Sequence, residues 1–181
     1  MEIERRLHEA IEYREEGDTR IVRGYGAVFG KTADLGFFTE EIRSGAFDTV
    51  MSDDVVFVFQ HDTDKILGRS TSGTLKYGVD ARGLWYEASL PNTTLGNDMR
   101  ELLKRGDITA NSFAFSDITD ETEKRNGKLH RTITKVGRLH DISLVTHPAY
   151  KDAVVVRSEF EKPKRPRIMI KKSELIKRYK Y

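Results

Sequence analysis

The strongest constraint on the fold of this chain is a rhythm: short β-branched and aromatic runs follow one another closely, parted by glycine, aspartate and asparagine turns. Met1 to Tyr13 and Thr19 to Phe29 alternate apolar and polar residues around Glu15-Glu16-Gly17-Asp18, which predicts a hairpin. Phe37 to Ile42 predicts another strand, and Ser44 an N-cap for a short helix from Gly45 to Met51. Val55-Val56-Phe57-Val58-Phe59 has the composition of a strand buried on both faces. Leu67 to Arg69, Tyr77 to Asp80 and Leu84 to Leu90 continue the pattern. One stretch breaks it: Leu95, Met99, Leu102 and Leu103 form a helical stripe, with Asn92, Thr93 or Thr94 as the cap and Gly106-Asp107 as the stop. Strands resume at Asn111 to Phe115. Asp117 to Lys128 reads as an exposed hairpin loop, and Leu129 to Val136 and Leu139 to Thr146 as the last strands. Strands this dense build a sandwich or a barrel.

Length and charge narrow the class. At 181 residues the chain has room for one domain, expected over residues 1–160, followed by a basic tail over 161–181 that holds Pro163 and Pro166 and ends in a short helix from Ser173 to Tyr181. A net charge of +2 gives no field that selects nucleic acid as a partner. The absence of cysteine excludes a disulfide framework, thiol catalysis and thiolate zinc sites. Hydrophobic runs such as Val55 to Phe59 are too short to cross a bilayer, and the charged opening Met1 to Arg6 is unlike a signal peptide, so a soluble intracellular protein is expected. Gly24, Gly26 and Gly30 fit no dinucleotide loop because no helical pattern follows them; strand glycines at a bend or close approach are the better account.

Chemistry concentrates at three places. Ser112 lies in a strand where it shares a face with Ala114, while Phe113 and Phe115 anchor the other face. His61 stands at the mouth of the Val55–Phe59 run, its backbone fixed by the core and its ring within reach of a cleft. Asp141 alternates with His140 along the last strand, so the two share a site only where a bulge or strand end intervenes. A serine hydroxyl needs a base to take its proton as it attacks, histidine titrates in the right range, and a carboxylate commonly orients that histidine. His61, Ser112 and Asp141 supply the three roles, but no spacing rule joins them, and Ser72, Ser116 and Ser143 are further serines near apolar residues. Two other readings stay open: a metal-dependent hydrolase built from His61, Asp62, Asp64, His140, Asp141 and His147, and a non-catalytic scaffold or binding barrel.

Several segments in order resemble the HK97-like prohead, or capsid maturation, serine proteases of tailed bacteriophages, whose catalytic domain is related to the herpesvirus assemblins. They run from Gly24-Tyr25-Gly26-Ala27-Val28-Phe29 through Glu41-Ile42-Arg43-Ser44-Gly45-Ala46-Phe47-Asp48, Gln60-His61-Asp62, Leu67-Gly68-Arg69-Ser70 and Ser72-Gly73-Thr74-Leu75. Leu90-Pro91-Asn92-Thr93, Lys104-Arg105-Gly106-Asp107, Ser112-Phe113-Ala114-Phe115, Asp141-Ile142-Ser143-Leu144-Val145-Thr146 and Pro148-Ala149-Tyr150 complete the set. The resemblance implies a mainly β fold with helices (α+β), a closed antiparallel β-barrel surrounded by a few helices. It implies a serine endopeptidase with Ser112 as nucleophile, His61 as general base and Asp141 as third member, and no cofactor. His140 is the reserve third member because the herpesvirus enzymes use a second histidine there, and Arg69 is a candidate for substrate or oxyanion support. Two positions depart from the family pattern: Ala114 stands where glycine is common, and Asp141 where glutamate is frequent. The implied partners are the major capsid protein with its scaffold or delta region, and the protease itself through autoproteolysis, inside the procapsid in the host cytoplasm, with no nucleic acid or membrane. A homodimer follows by analogy with the herpesvirus enzymes.

Overall fold

A computed structural model describes residues 3–9, 11–17 and 19–146. The expected tail, its terminal helix and His147 lie outside the described residues. The strands are β1 (Glu4–Glu9), β2 (Ile11–Glu16), β3 (Thr19–Val28), β4 (Ala33–Asp34), β5 (Phe38–Ile42), β6 (Val56–Phe59), β7 (Asp62–Arg69), β8 (Leu75–Val79), β9 (Gly83–Ser89), β10 (Ala110–Ser116), β11 (Thr119–Arg125), β12 (Lys128–Lys135) and β13 (Arg138–Val145). One α-helix among the described residues, α1 (Thr94–Arg105), separates β9 from β10.

The strands do not close a barrel. They form a five-stranded sheet ordered β1-β10-β13-β6-β7 and two four-stranded sheets, β11-β12-β5-β4 and β2-β3-β9-β8. The expected barrel fails because its continuity is broken between partners: Met1 to Tyr13, read as one strand, divides into β1, which pairs with β10, and β2, which pairs with β3 in a different sheet. Among the described residues the few expected helices reduce to α1 and a 3-10 turn at Asp48–Val50. Ser44 makes no helix there. Gly45 takes a φ of 86°, the 3-10 turn carries no side-chain cap, and Phe47 and Val50 are fully buried.

A shared apolar core joins the sheets. Phe57 of β6 meets Tyr86 of β9 at a ring separation of 5.6 Å, and Phe113 of β10 stacks on Phe115 at 5.0 Å and meets Phe47 edge-on at 5.8 Å. Gly26 of β3, at the register shift between Tyr25 and Ala27, lies where an added Cβ would stand 3.5 Å from Leu84 and 3.7 Å from Phe113. Those are ordinary van der Waals distances, so what marks Gly26 is the irregularity in the β3–β9 pairing, a bend, and not a close approach. Helix α1 is capped as its sequence indicates: Thr93 accepts the Gly96 N–H, and Gly106, at a φ of 77°, ends the helix.

Asp117 to Lys128 is not a loop throughout. Thr119–Arg125 is a strand, β11, exposed along its whole length and paired to β12 across an Asn126-Gly127 turn with positive φ at both residues. Its charge suits a strand that covers no core.

Candidate active site

The five-stranded sheet brings the three candidate residues together. Ser112 in β10 is paired in register with Ser143 in β13, and Ala114 with Asp141, so both hydroxyls and the carboxylate come from two adjacent strands. β6 runs parallel to β13 on its other side, with Asp141 opposite Val56 and Leu144 opposite Phe59, and delivers His61 at its end. Phe113, Ile142, Leu144 and Phe57 are buried beneath this arrangement. The side chains that fill the core thereby fix the strands that carry the polar groups.

His61 is placed by a strained turn. Phe59 pairs with Asp62, so Gln60 and His61 are the central residues of a tight β6–β7 hairpin, with φ values of 58° and 56°. Positive φ at both positions is the requirement of a type I′ turn, which ordinarily takes asparagine and glycine. A non-glycine residue in this region costs about 1–2 kcal/mol and persists only where its surroundings over-determine it. Those surroundings are visible: the Gln60 amide donates to the Leu144 carbonyl at 2.9 Å, the Gln60 side-chain amide to Thr146 Oγ1 at 2.6 Å, and the His61 amide to Ser143 Oγ at 3.1 Å.

The ring then bridges the two strands. His61 Nε2 is 2.8 Å from Ser112 Oγ, and His61 Nδ1 is 2.6 Å from Asp141 Oδ1. Ser112 is 4% exposed, and the His61 and Asp141 side chains 13% and 11%, so the line is shielded yet open to solvent at its edge. With the proton on Nδ1 donated to Asp141, Nε2 is free to accept from the Ser112 hydroxyl. This arrangement can activate a hydroxyl for attack on a carbonyl.

Residues 8–166 match the family model described as caudovirus prohead serine protease. The chain belongs to the caudovirus prohead serine protease family. Members of this family are serine peptidases, and the chain is an enzyme of that class, acting in phage capsid maturation. No curated protein matches it by sequence. Among solved structures, the bacteriophage T4 capsid assembly protease, gp21, is similar at 9% identity with a TM-score of 0.46, over 80% of this chain and 99% of that one.

The remaining candidates of this prohead protease chain lie elsewhere. A register shift falls in the β10–β13 pairing, with Ala114 opposite Asp141 and Phe115 opposite Leu139, so His140 is the extra residue of a bulge. Its Nε2 lies 2.9 Å from Ser116 Oγ, and burial, reinforced by Arg138, pushes its pKa down. The bulge that would be needed to bring His140 and Asp141 into one site exists, but it ties His140 to Ser116. Arg69 lies two strands from Asp141, opposite Val56, and its guanidinium is ion-paired with Asp54, whose carboxyl is held down at about 2, chiefly by that hydrogen bond. Asp62 pairs with Lys65 at 3.0 Å. Among the described residues no group of three or more His, Asp or Glu side chains gathers to hold a metal ion. Ala114, in place of a common glycine, is not among the positive-φ residues, so its backbone places no demand that only glycine meets. One contact was legible only in outline. Ser143, visible in the sequence as one serine near apolar residues, touches both His61 and Asp141.

Proposed function

We propose that this protease matures the phage procapsid from within, cleaving the scaffold or delta region of the major capsid protein and its own chain through an acyl-enzyme formed on Ser112. The observation that carries this reading is the continuous line Ser112 Oγ, His61 Nε2, His61 Nδ1, Asp141 Oδ1, with hydrogen-bond separations of 2.8 and 2.6 Å.

The steps follow from the donors and acceptors. Ser112 Oγ attacks the scissile carbonyl carbon as its proton passes to His61 Nε2, and the carbonyl π pair moves onto oxygen. Asp141 holds the ring in the tautomer that accepts and faces the imidazolium that forms. Collapse of the tetrahedral adduct expels the amine, which takes the proton from Nε2, and leaves an ester on Ser112. Water then attacks the ester as His61 Nε2 takes its proton, and the second tetrahedral adduct collapses to the free acid while Nε2 returns that proton to Ser112 Oγ. The half-shielded position of the ring favours proton transfer between protein and substrate over exchange with bulk water.

The test uses the full chain with its capsid-protein substrate. Ser112→Ala is expected to abolish both capsid-protein cleavage and self-cleavage while the protein stays folded, and a chelator is expected to leave wild-type turnover unchanged. Turnover by Ser112→Ala comparable to wild type overturns the reading, and so does activity that a chelator removes and added metal restores.

A further inference from the structure

We propose that Ser143 is a positioning residue of this site, a hydroxyl clamp that fixes Asp141 and the backbone of His61 relative to one another. The inference rests on the Ser112–His61–Asp141 reading and extends it to a fourth group.

Ser143 is fully buried, and its Oγ makes three contacts, all to the same assembly. It lies 2.8 Å from Asp141 Oδ1, 3.1 Å from His61 Nδ1, and 3.1 Å from the His61 amide nitrogen. The direction of each hydrogen bond follows from what each partner can do. The His61 amide can only donate. Nδ1 carries a proton whenever Nε2 is to accept from Ser112, so it too only donates, dividing its proton between Asp141 Oδ1 and Ser143 Oγ. The single proton of Ser143 therefore has one acceptor within reach, the Asp141 carboxylate. A hydroxyl supplies one donor and two acceptor lone pairs, and all three are used.

The consequence is mechanical. His61 occupies the left-handed region at a φ of 56°, a conformation its surroundings must enforce, and the hydroxyl of Ser143 is the acceptor for the amide of that residue. The same oxygen donates to the carboxylate that orients the ring. Because Ser143 stands opposite Ser112 in the β10–β13 register, the clamp and the nucleophile belong to one row of the sheet, and the sheet pairing sets their separation. Removing the hydroxyl strips the half-buried His61 amide of this acceptor and takes from Asp141 Oδ1 one of its two side-chain hydrogen bonds, leaving the one from His61 Nδ1. A misplacement of the base lowers the chemical step and leaves substrate contacts in place.

The test compares Ser143→Ala and Ser143→Thr in the full-length protein on a capsid-protein substrate, with Ser112→Ala alongside. Ser143→Ala is expected to lower kcat by about 10- to 100-fold with KM nearly unchanged. Ser143→Thr, which keeps the hydroxyl, is expected to recover most of that loss. Wild-type kcat in Ser143→Ala, or an equal loss in the alanine and threonine variants when both are folded, overturns the clamp while leaving the Ser112 reading intact. Full activity of Ser112→Ala would instead defeat the underlying reading. Should Ser143→Ala fail to fold, Ser143→Cys fills the same space with a weaker donor, and wild-type kcat from it overturns the proposal.

Discussion

At the scale of single residues, the site depends on a backbone conformation that its own side chains disfavour. Gln60 and His61 hold positive φ in a turn that asparagine and glycine would adopt more easily, and strain of this kind gathers where geometry serves function. Gln60 is exposed, so its substitution probes the turn without disturbing the core. Gln60→Val places a β-branched residue where the left-handed region is least tolerated, and is expected to cost about 1–2 kcal/mol in urea unfolding and to depress turnover through the adjacent His61. Gln60→Gly, which enters this region freely, is expected to retain turnover. Equal turnover in the valine and wild-type proteins would show that the turn does not set the ring.

At the scale of elements, β1 is fastened beside the strand that carries Ser112 by buried charge. Arg6 donates to Glu4 and Glu40 at 2.6 Å each, and Arg131 of β12 donates to both Glu4 oxygens at 2.9 Å, to Glu40 at 3.2 Å and to Asp120. The Arg6 guanidinium also lies over the Phe115 ring, 5.2 Å from its centre. This cluster ties the edge of the five-stranded sheet to the sheet of β5 and β12, next to the strand that carries Ser112. Burial alone pushes the Glu4 carboxyl up, but Arg6 and Arg131 outweigh it and hold it below the ordinary carboxylate value. A carboxyl lowered in the folded state adds stability above its unfolded value, and that stability is lost as pH falls through the folded value. Arg131→Met is therefore expected to cost about 3 kcal/mol in urea unfolding at neutral pH, and the gap from wild type is expected to narrow in acid. A constant gap across that range would contradict the role assigned to Glu4.

At the scale of the whole molecule, local signals and long-range pairing differ in how far the sequence discloses them. The helix stripe, the Asn126-Gly127 turn, the buried Val55–Phe59 run and the serine strand are local patterns, and each appears where its residues indicate. Residue type and family resemblance mark Ser112, His61 and Asp141 one at a time, and the structure adds the hydrogen-bonded line that joins them. The division into three sheets was not, because it rests on pairings such as β1 with β10 and β12 with β5, between residues far apart in the chain that no periodicity encodes. The same limit hid the bulge at His140 and the contacts of Ser143, which exist only once β10, β13 and the His61 turn are assembled. The central claim, that this assembly makes Ser112 a nucleophile through His61, is tested most directly by labelling the folded full-length protein with a serine-reactive fluorophosphonate and locating the adduct by peptide mass spectrometry. The expected result is a single adduct on the peptide carrying Ser112, absent in His61→Ala. An adduct on another serine, or labelling of Ser112 that is undiminished in His61→Ala, would contradict it.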